Sequence, residues 1–454
     1  MNRKYFGTDG VRGVANIAPM DAETALAIGR ATAYVLKRNH KGLNRILVGK
    51  DTRLSGYMLE SALTAGICSM GVDVLLTGPV PTPAIAFLTR TMRCAAGIVI
   101  SASHNPFEDN GIKIFNAGGF KLPDAQEEEI ESLLDNPAEL LANLPPPREI
   151  GRAKRISDAR GRYVEFCKST FPAEFTLEGM KIVIDCSNGA AYGCAPDVFR
   201  ELGAEVETLH AKPDGMNINE RCGSQHTEDL RARVVASGAT IGLAFDGDAD
   251  RLITVDEKGR EVSGDHTIAI CAQSMLAAGT LRNRLVVLTP MSNLGLRLAL
   301  DKMGVSWVDA GVGDRLVLAR MQKDGAVLGG EQSGHVIFLD KHTTGDGIVS
   351  ALQIIAAMKR SGKPLSELAS IFTEAPQRLV NVEVREKPPV ESLPGVAAAI
   401  AAAEKELGRS GRVLVRYSGT QKLCRVMVEA ASEEAVERIC SAIAAEVRAA
   451  IGAA

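Results

Sequence analysis

Three aspartates fall within five residues in Ala244-Phe245-Asp246-Gly247-Asp248-Ala249-Asp250-Arg251, directly after the apolar run Thr240 to Phe245. If the segment is extended, side chains two apart share a face, and Asp246, Asp248 and Asp250 converge on one side. Converging carboxylates repel and raise one another's pKa unless a cation sits among them. Hard oxygen ligands suit Mg²⁺, which shares its coordination readily with a substrate phosphate. An EF-hand is excluded. Glu257 stands at that motif's twelfth position, but Arg251 occupies the sixth, where a sharp turn needs Gly, and the flanks read as strands. The plain alternative is a solvated acidic face.

Four further stretches carry usable chemistry. Gly97-Ile98-Val99-Ile100 reads as a buried strand that ends in Ser101-Ala102-Ser103-His104-Asn105-Pro106. Ser103 then stands at a strand's end, where open α/β sheets bind ligands; read alone, the turn serine is the stronger reading. Gly329-Gly330-Glu331-Gln332-Ser333-Gly334-His335 is a polar loop able to read sugar hydroxyls, or else a tight hairpin. Arg416-Tyr417-Ser418-Gly419-Thr420-Gln421-Lys422, followed by Arg425, joins two strands and has the makings of a phosphate cradle. Near the start, Gly7-Thr8-Asp9-Gly10-Val11-Arg12-Gly13 lets backbone approach a ligand closely. Walker A, GxGxxG, GxSxG and HExxH motifs do not occur. Together these features point to phosphoryl transfer on a small phosphorylated polyol. Serine is a weak nucleophile, but a phosphoserine neutralised by Mg²⁺ is a fair donor.

The elements that must position these groups repeat. Ile46 to Gly49, a polar turn, a helix over 57–69 and a strand from Val72 to Leu76 form a βαβ unit. The cadence returns at Lys181 to Asp185 with a helix near 191–202 and a strand over 204–209. It returns again at Leu285 to Leu288 with a helix to Met303 and a strand over 305–308. Beyond 378 the pattern changes to strand 380–384, helix 391–407, strands 412–416 and 423–429, and helix 432–449. The expected fold is α/β: three related α/β domains at 1–155, 156–256 and 257–368, then a smaller α+β domain at 369–454. The 454 residues are 46% hydrophobic, ample for several cores, and the net charge of −3 marks no nucleic-acid surface. Nine scattered cysteines without a CxxC pair exclude a disulfide framework or zinc site. With no signal peptide and no apolar stretch of membrane-spanning length, a cytoplasmic chain without membrane contact is expected.

Taken in order, Phe6 to Gly13, Ser101 to Pro106, Gly111-Ile112-Lys113, Asp246 to Arg251, Gly330 to His335 and Ser418-Gly419-Thr420 resemble the α-D-phosphohexomutase superfamily across the whole chain. The resemblance implies mixed sheets arranged around a central cleft, with Ser103 as the phosphorylated serine. It makes Asp246, Asp248, Asp250 and the Ser103 phosphate the Mg²⁺ ligands. Glu331 and Ser333 are implied to read sugar hydroxyls, and Arg416, Ser418, Gly419, Thr420 and Arg425 to hold a phosphate. Arg12, Lys113 and Arg251 match active-site positions. Lys113 is expected to serve as general acid/base with a lowered pKa, aided by His335. The implied reaction interconverts glucosamine 6-phosphate and glucosamine 1-phosphate, toward UDP-N-acetylglucosamine. It passes through a bisphosphorylated sugar, glucosamine 1,6-bisphosphate or glucose 1,6-bisphosphate. Mannose or glucose phosphates are the alternative substrates, and a Mg²⁺-dependent sugar phosphatase is the alternative chemistry. A homodimer, and priming of Ser103 by a protein kinase or autophosphorylation, complete the expectations. The chain departs from the family's pattern, which has Pro after the Arg and Glu-Pro after Ser-Gly-Thr; Tyr417, Gln421 and Lys422 stand there instead.

Overall fold

The computed structural model describes residues 4–7, 9–39, 44–408, 410–418 and 422–453. Its contacts divide the chain into two compact units, one of residues 1–289 and 308–369, the other of 290–307 and 370–454. Among the described residues no helix is long and apolar enough to cross a membrane, and the nine cysteines are all free.

The larger unit is built on mixed sheets. In the first, strands Phe6–Gly7, Gly10–Val14, Asp109–Asn116 and Ala96–Ile100 pair antiparallel in that order. Arg45–Lys50, Asp73–Pro79 and Ala153–Arg155 continue it in parallel. The second sheet runs Glu261–Val262, Leu252–Val255, Ile241–Phe245, Lys181–Asp185, Glu205–Leu209, antiparallel at its first two joints and parallel at its last two. In the third, Leu285–Leu288 and Leu328–Gly330 are parallel, and Val336–Phe338 returns antiparallel as a hairpin. The hairpin reading of the Gly329 to His335 stretch is therefore correct as architecture. Strands buried on both faces, such as Ala96–Ile100 and Ile241–Phe245, are continuously apolar, as a covered sheet requires.

Two expected helices differ, and that over 391–407 is a 3-10 turn, Val390–Ser392, and a helix that begins at Pro394. The helix near 191–202 is a 3-10 turn, Ala190–Gly193, and a separate helix, Ala195–Glu201. Pro196 supplies no N–H to continue the first turn and instead starts the second, where its fixed φ is favourable.

The smaller unit is an antiparallel sheet ordered Gln377–Glu383, Leu423–Glu429, Arg412–Tyr417. Helices Pro394–Leu407 and Glu433–Ile451 contribute Val396, Ile439, Ile443 and Val447 to its core, beside Val382, Val426 and Val428. The helix Leu294–Lys302 groups with this unit. Arg412 explains the grouping: it pairs with buried Glu429 and donates to the carbonyls of Pro290 and Ser292 at 2.8 and 2.6 Å.

Behind the first sheet, helices Ala22–Asn39 and Ser55–Ser69 pack through glycines. A Cβ on Gly29 would lie 2.6 Å from the Leu63 carbonyl oxygen, and one on Gly66 would strike that of Leu26. Gly66→Val should therefore destabilise the first domain by about 2–3 kcal/mol, the scale of overpacking. A lower urea midpoint at unchanged far-UV circular dichroism checks this; an unchanged midpoint contradicts it.

Candidate active site

Ser103 lies just past the strand Ala96–Ile100, is 1% exposed, and adopts a left-handed conformation with φ 53. Its Oγ donates to Asp246 Oδ2 at 2.6 Å. Asp246, Asp248 and Asp250 are buried, and an oxygen from each falls within 4.8 Å of the others. They converge as expected, but not by strand alternation. Residues 246–250 form a turn with Ala249 at φ 57, closed by Ala249 N–H donating to the Asp246 carbonyl at 3.0 Å. The chain bends at Gly247 because it must pass the Ser103 loop. A Cβ there would sit 2.5 Å from the Ser103 carbonyl oxygen.

The electrostatics are set by burial opposed by pairing. Asp248 Oδ2 accepts from Thr82 Oγ1 at 2.6 Å and Lys113 Nζ at 2.9 Å. Burial, and then the charges of Asp250 and Asp248, push the Asp246 pKa well up. Burial works against the Asp250 charge too, but Lys113, His335 and Arg251 outweigh it and hold its pKa well down. The expectation of a lowered Lys113 pKa is reversed. Burial disfavours its charge, yet the carboxylates of Asp248, Asp9 and Asp250 surround it and raise the pKa. The cations expected to depress it are outnumbered.

A closed ring of alternating charges passes through Asp250. Lys113 Nζ is 3.2 Å from Asp9 and 3.7 Å from Asp250. His335 bridges Asp250 at 3.6 Å and Asp314 at 3.5 Å. Lys121 pairs with both Asp314 and Asp9, closing the circuit, and Arg12 joins Asp9 at 2.6 Å. Burial opposes the His335 charge, but Asp250 leads the carboxylates that raise its pKa to about 9. Burial, with Arg251 and Arg12, lowers His104 to about 4, so it is neutral beside Ser103 Oγ at 3.4 Å.

The remaining expected residues fall in two places. Arg251 Nε is buried without a hydrogen-bond partner. Glu331 accepts from the Gly313 N–H at 3.2 Å, its pKa raised by burial. Ser333, exposed on the same hairpin, makes no hydrogen bond among the described residues. In the smaller unit, Arg416 and Arg425 stand directly opposite one another on paired strands. Like charges facing across a ladder are unfavourable without an anion, and among the described residues neither pairs with a carboxylate. Arg425 Nε is buried and unpartnered, while burial and Arg425 lower the Arg416 pKa. Ser418 is buried beside them. Gly419, Thr420 and Gln421, like Thr8, lie outside the described residues. At Tyr417 the hydroxyl is buried without a partner.

Several participants escaped the sequence reading. Asp9, Lys121 and Asp314 belong to the ring, and Thr82 orients Asp248; the signal available for Thr82 was Pro81-Thr82-Pro83 at a strand end. A second group, Asp185, His210 and Cys222, also clusters within 4.8 Å. It reads as a hydrogen-bonded joint, since Asp185 accepts from the N–H groups of Ser187 and Gly223 at 2.8 and 2.9 Å.

Phosphoglucomutase/phosphomannomutase domain models match in chain order: α/β/α domain I at residues 3–140, domain II at 161–259, domain III at 263–375 and the C-terminal domain at 379–446. A phosphoglucosamine mutase of Syntrophobacter fumaroxidans is 59% identical over 98% of this chain and 99% of its own. The chain belongs to this family. It is a phosphohexomutase, an isomerase. A second phosphoglucosamine mutase, from Syntrophus aciditrophicus, is 58% identical over 99% of this chain and all of its own. A crystallised phosphoglucomutase/phosphomannomutase family protein of Burkholderia thailandensis superposes with TM-score 0.81 at 26% identity, covering 98% of this chain and 97% of that one. The N-acetylphosphoglucosamine mutase of Aspergillus fumigatus, solved with GlcNAc-6P and magnesium, shares the fold with TM-score 0.70 at 18% identity, over 98% and 96% of the two chains. In this phosphohexomutase, the match to domain I contains Ser103 and Lys113, that to domain II the aspartates, and that to domain III Glu331 and His335.

The donor set suits a hard divalent ion. Asp248 Oδ1 and Asp250 Oδ1 are buried with no hydrogen-bond partner among the described residues, and all three ligands offer oxygen. Two outcomes follow. Asp246→Asn, which removes one repelling charge, should raise the thermal midpoint of the metal-free enzyme by about 2–4 °C, the response to about 1 kcal/mol. It should also abolish the further rise that Mg²⁺ gives the parent. A lowered metal-free midpoint, or an undiminished Mg²⁺ shift, contradicts the electrostatic picture. His335 has a folded pKa above its unfolded value. Its contribution to stability is complete below about pH 6.5 and lost as pH rises through about 9. His335→Gln should flatten that alkaline fall in urea midpoint; a fall of the same size in the variant contradicts the assignment.

Proposed function

We propose that the chain isomerises glucosamine 6-phosphate and glucosamine 1-phosphate through a phosphoserine at Ser103. The observation that carries the reading is the placement of Ser103 Oγ at 2.6 Å from Asp246, one of three clustered buried aspartates of which Asp248 and Asp250 each keep an unpartnered Oδ1. The sugar is read from the phosphoglucosamine mutases that share 55–59% of this sequence. Asp246, Asp248, Asp250 and the Ser103 phosphate would hold Mg²⁺. When bound, that ion neutralises the charge on the phosphoryl group and lowers the barrier to its departure.

The chain's own groups do the rest. The phosphoserine O–P bond breaks as the sugar's free hydroxyl bonds to phosphorus, and that hydroxyl's proton ends on Ser103 Oγ. The product of the half-reaction is a bisphosphorylated sugar, glucosamine 1,6-bisphosphate; glucose 1,6-bisphosphate would serve instead as an activator that donates a phosphoryl group to Ser103. The glucosamine bisphosphate returns its other phosphate to Ser103 after reversing its orientation. Lys113 is the acid/base at the sugar oxygen: its carboxylate neighbours hold it protonated, so it serves as the acid in the return step, giving a proton to the sugar oxygen as the bond from that oxygen to phosphorus breaks. His335, charged at neutral pH, and Arg12 add positive charge where phosphoryl oxygens arrive. Glu331, Ser333 and Arg251 read the sugar and its substituents. Arg416, Ser418 and Arg425, with Gly419 and Thr420, bind a phosphate of the phosphosugar, which relieves the repulsion between the facing guanidinium groups. Priming of Ser103 requires a kinase or autophosphorylation, and a homodimer and a cytoplasmic setting fit this activity.

Assaying glucosamine, glucose and mannose 6-phosphates side by side tests the reading. Glucosamine 6-phosphate should turn over fastest, and Ser103→Ala should lose about 10³-fold or more of the rate. Glucosamine 6-phosphate being the slowest of the three would overturn the sugar assignment. Release of inorganic phosphate in place of the isomer would favour a phosphatase.

A further inference from the structure

Two carbonyl oxygens of the Ser103 loop are each held twice. Arg53 Nη2 donates to the Ser103 carbonyl at 3.0 Å and the Asn105 carbonyl at 2.8 Å. From the segment that follows the second domain's strand Glu205–Leu209, Asn219 Nδ2 donates to the same two oxygens, both at 2.9 Å. The rest of the Arg53 guanidinium is equally committed. Its Nη1 serves the carbonyls of Pro106 and Asp109, and its Nε donates to Asp51 Oδ2 at 2.9 Å. A guanidinium has five N–H donors, and here each has an acceptor, on a side chain with no solvent exposure. Asp51 Oδ2 also accepts from Ser101 Oγ at 2.6 Å, and Ser101 Oγ accepts the Ser103 N–H at 2.9 Å.

Both peptide groups of Ser103 are thus fixed, its N–H through Ser101 and Asp51, its carbonyl by Arg53 and Asn219. The consequence is conformational. A non-glycine residue at φ 53 is strained and persists only where its surroundings over-determine it. Without the clamp, the peptide relaxes toward negative φ and Oγ swings off the line to Asp246. Neither Arg53 nor Asn219 reaches the reacting oxygen.

We propose that Arg53 and Asn219 are positioning residues of the mutase reaction, a two-sided clamp on the carbonyls of Ser103 and Asn105 that aims the phosphoryl-carrying oxygen at the three aspartates. This rests on Ser103 being that carrier. The clamp joins a residue of the first domain to one of the second, the domain that supplies the aspartates, so it sets the serine loop in register with its metal ligands.

The test uses Arg53→Lys and Asn219→Ala in the full-length enzyme, with Ser103→Ala as reference. Lysine keeps the charge opposite Asp51 but offers three donors where five are used. Arg53→Lys should lower kcat about 20-fold or more and Asn219→Ala about fivefold, since small misplacements of reacting atoms are costly. In both, KM for glucosamine 6-phosphate should stay within about threefold, and half-saturating Mg²⁺ should rise. A purely architectural role would instead lower the thermal midpoint and leave kcat per folded molecule and the Mg²⁺ requirement unchanged. Parental kcat in both folded variants, with Ser103→Ala inactive, overturns the clamp and spares the serine. Parental turnover by Ser103→Ala overturns the serine reading itself. Should Arg53→Lys fail to fold, Asn219→Ala decides alone.

Discussion

Three carboxylates buried within reach of one another are the constraint on which the rest of the site depends. Two unit charges at 4 Å repel by about 4 kcal/mol at an effective dielectric of 20, more than one or two hydrogen bonds return. The protein meets this with a circuit rather than a single partner. Lys113, His335 and Lys121 alternate with Asp9, Asp250 and Asp314 in a ring that takes in one member of the trio. Compensation is uneven by design of the packing. Asp250 and Asp248 meet the cations, while Asp246 faces Ser103 Oγ and keeps a raised pKa. The carboxylate least compensated is thus the one beside the hydroxyl proposed to carry phosphate, and a divalent ion there would favour its charged form.

Backbone geometry serves the same end. Ser103 and Ala249 both occupy left-handed conformations, one on each of the two loops that meet. Gly247 leaves room for the Ser103 carbonyl, and Gly189 for the Gly247 backbone. These loops approach at the ends of strands whose apolar composition buries them completely, so the strained segments are held by rigid sheets. The phosphate hairpin follows a different logic in the smaller unit, where two opposed arginines without carboxylate partners leave an unmet demand for an anion.

Much of this was legible in the residues. The strand ending at Ile100, the acid cluster after Phe245, the hairpin about Ser333 and the strand pair about Ser418 all lie where periodicity and turn chemistry put them. Long-range charge was not legible. Lys113 is expected from the sequence to have a lowered pKa, but only the fold brings it against Asp9, Asp248 and Asp250 and reverses its shift. Alternation gave a convergent trio for the wrong reason, because a turn containing Ala249 wraps the three side chains together. Arg53 and Asn219 were invisible for a related cause: their partners are backbone carbonyls some fifty and more than a hundred residues away, and no side-chain pattern records such contacts.

The central claim is that one serine oxygen beside three aspartates passes a phosphoryl group to a sugar. Its most direct measurement is a single turnover with Ser103 carrying a radioactive phosphate and the sugar phosphate unlabelled. The account predicts that label leaves the protein and appears covalently on the sugar as the isomer forms, one phosphate per active site. Label retained on Ser103 while isomer accumulates, or recovered only as inorganic phosphate, would contradict it.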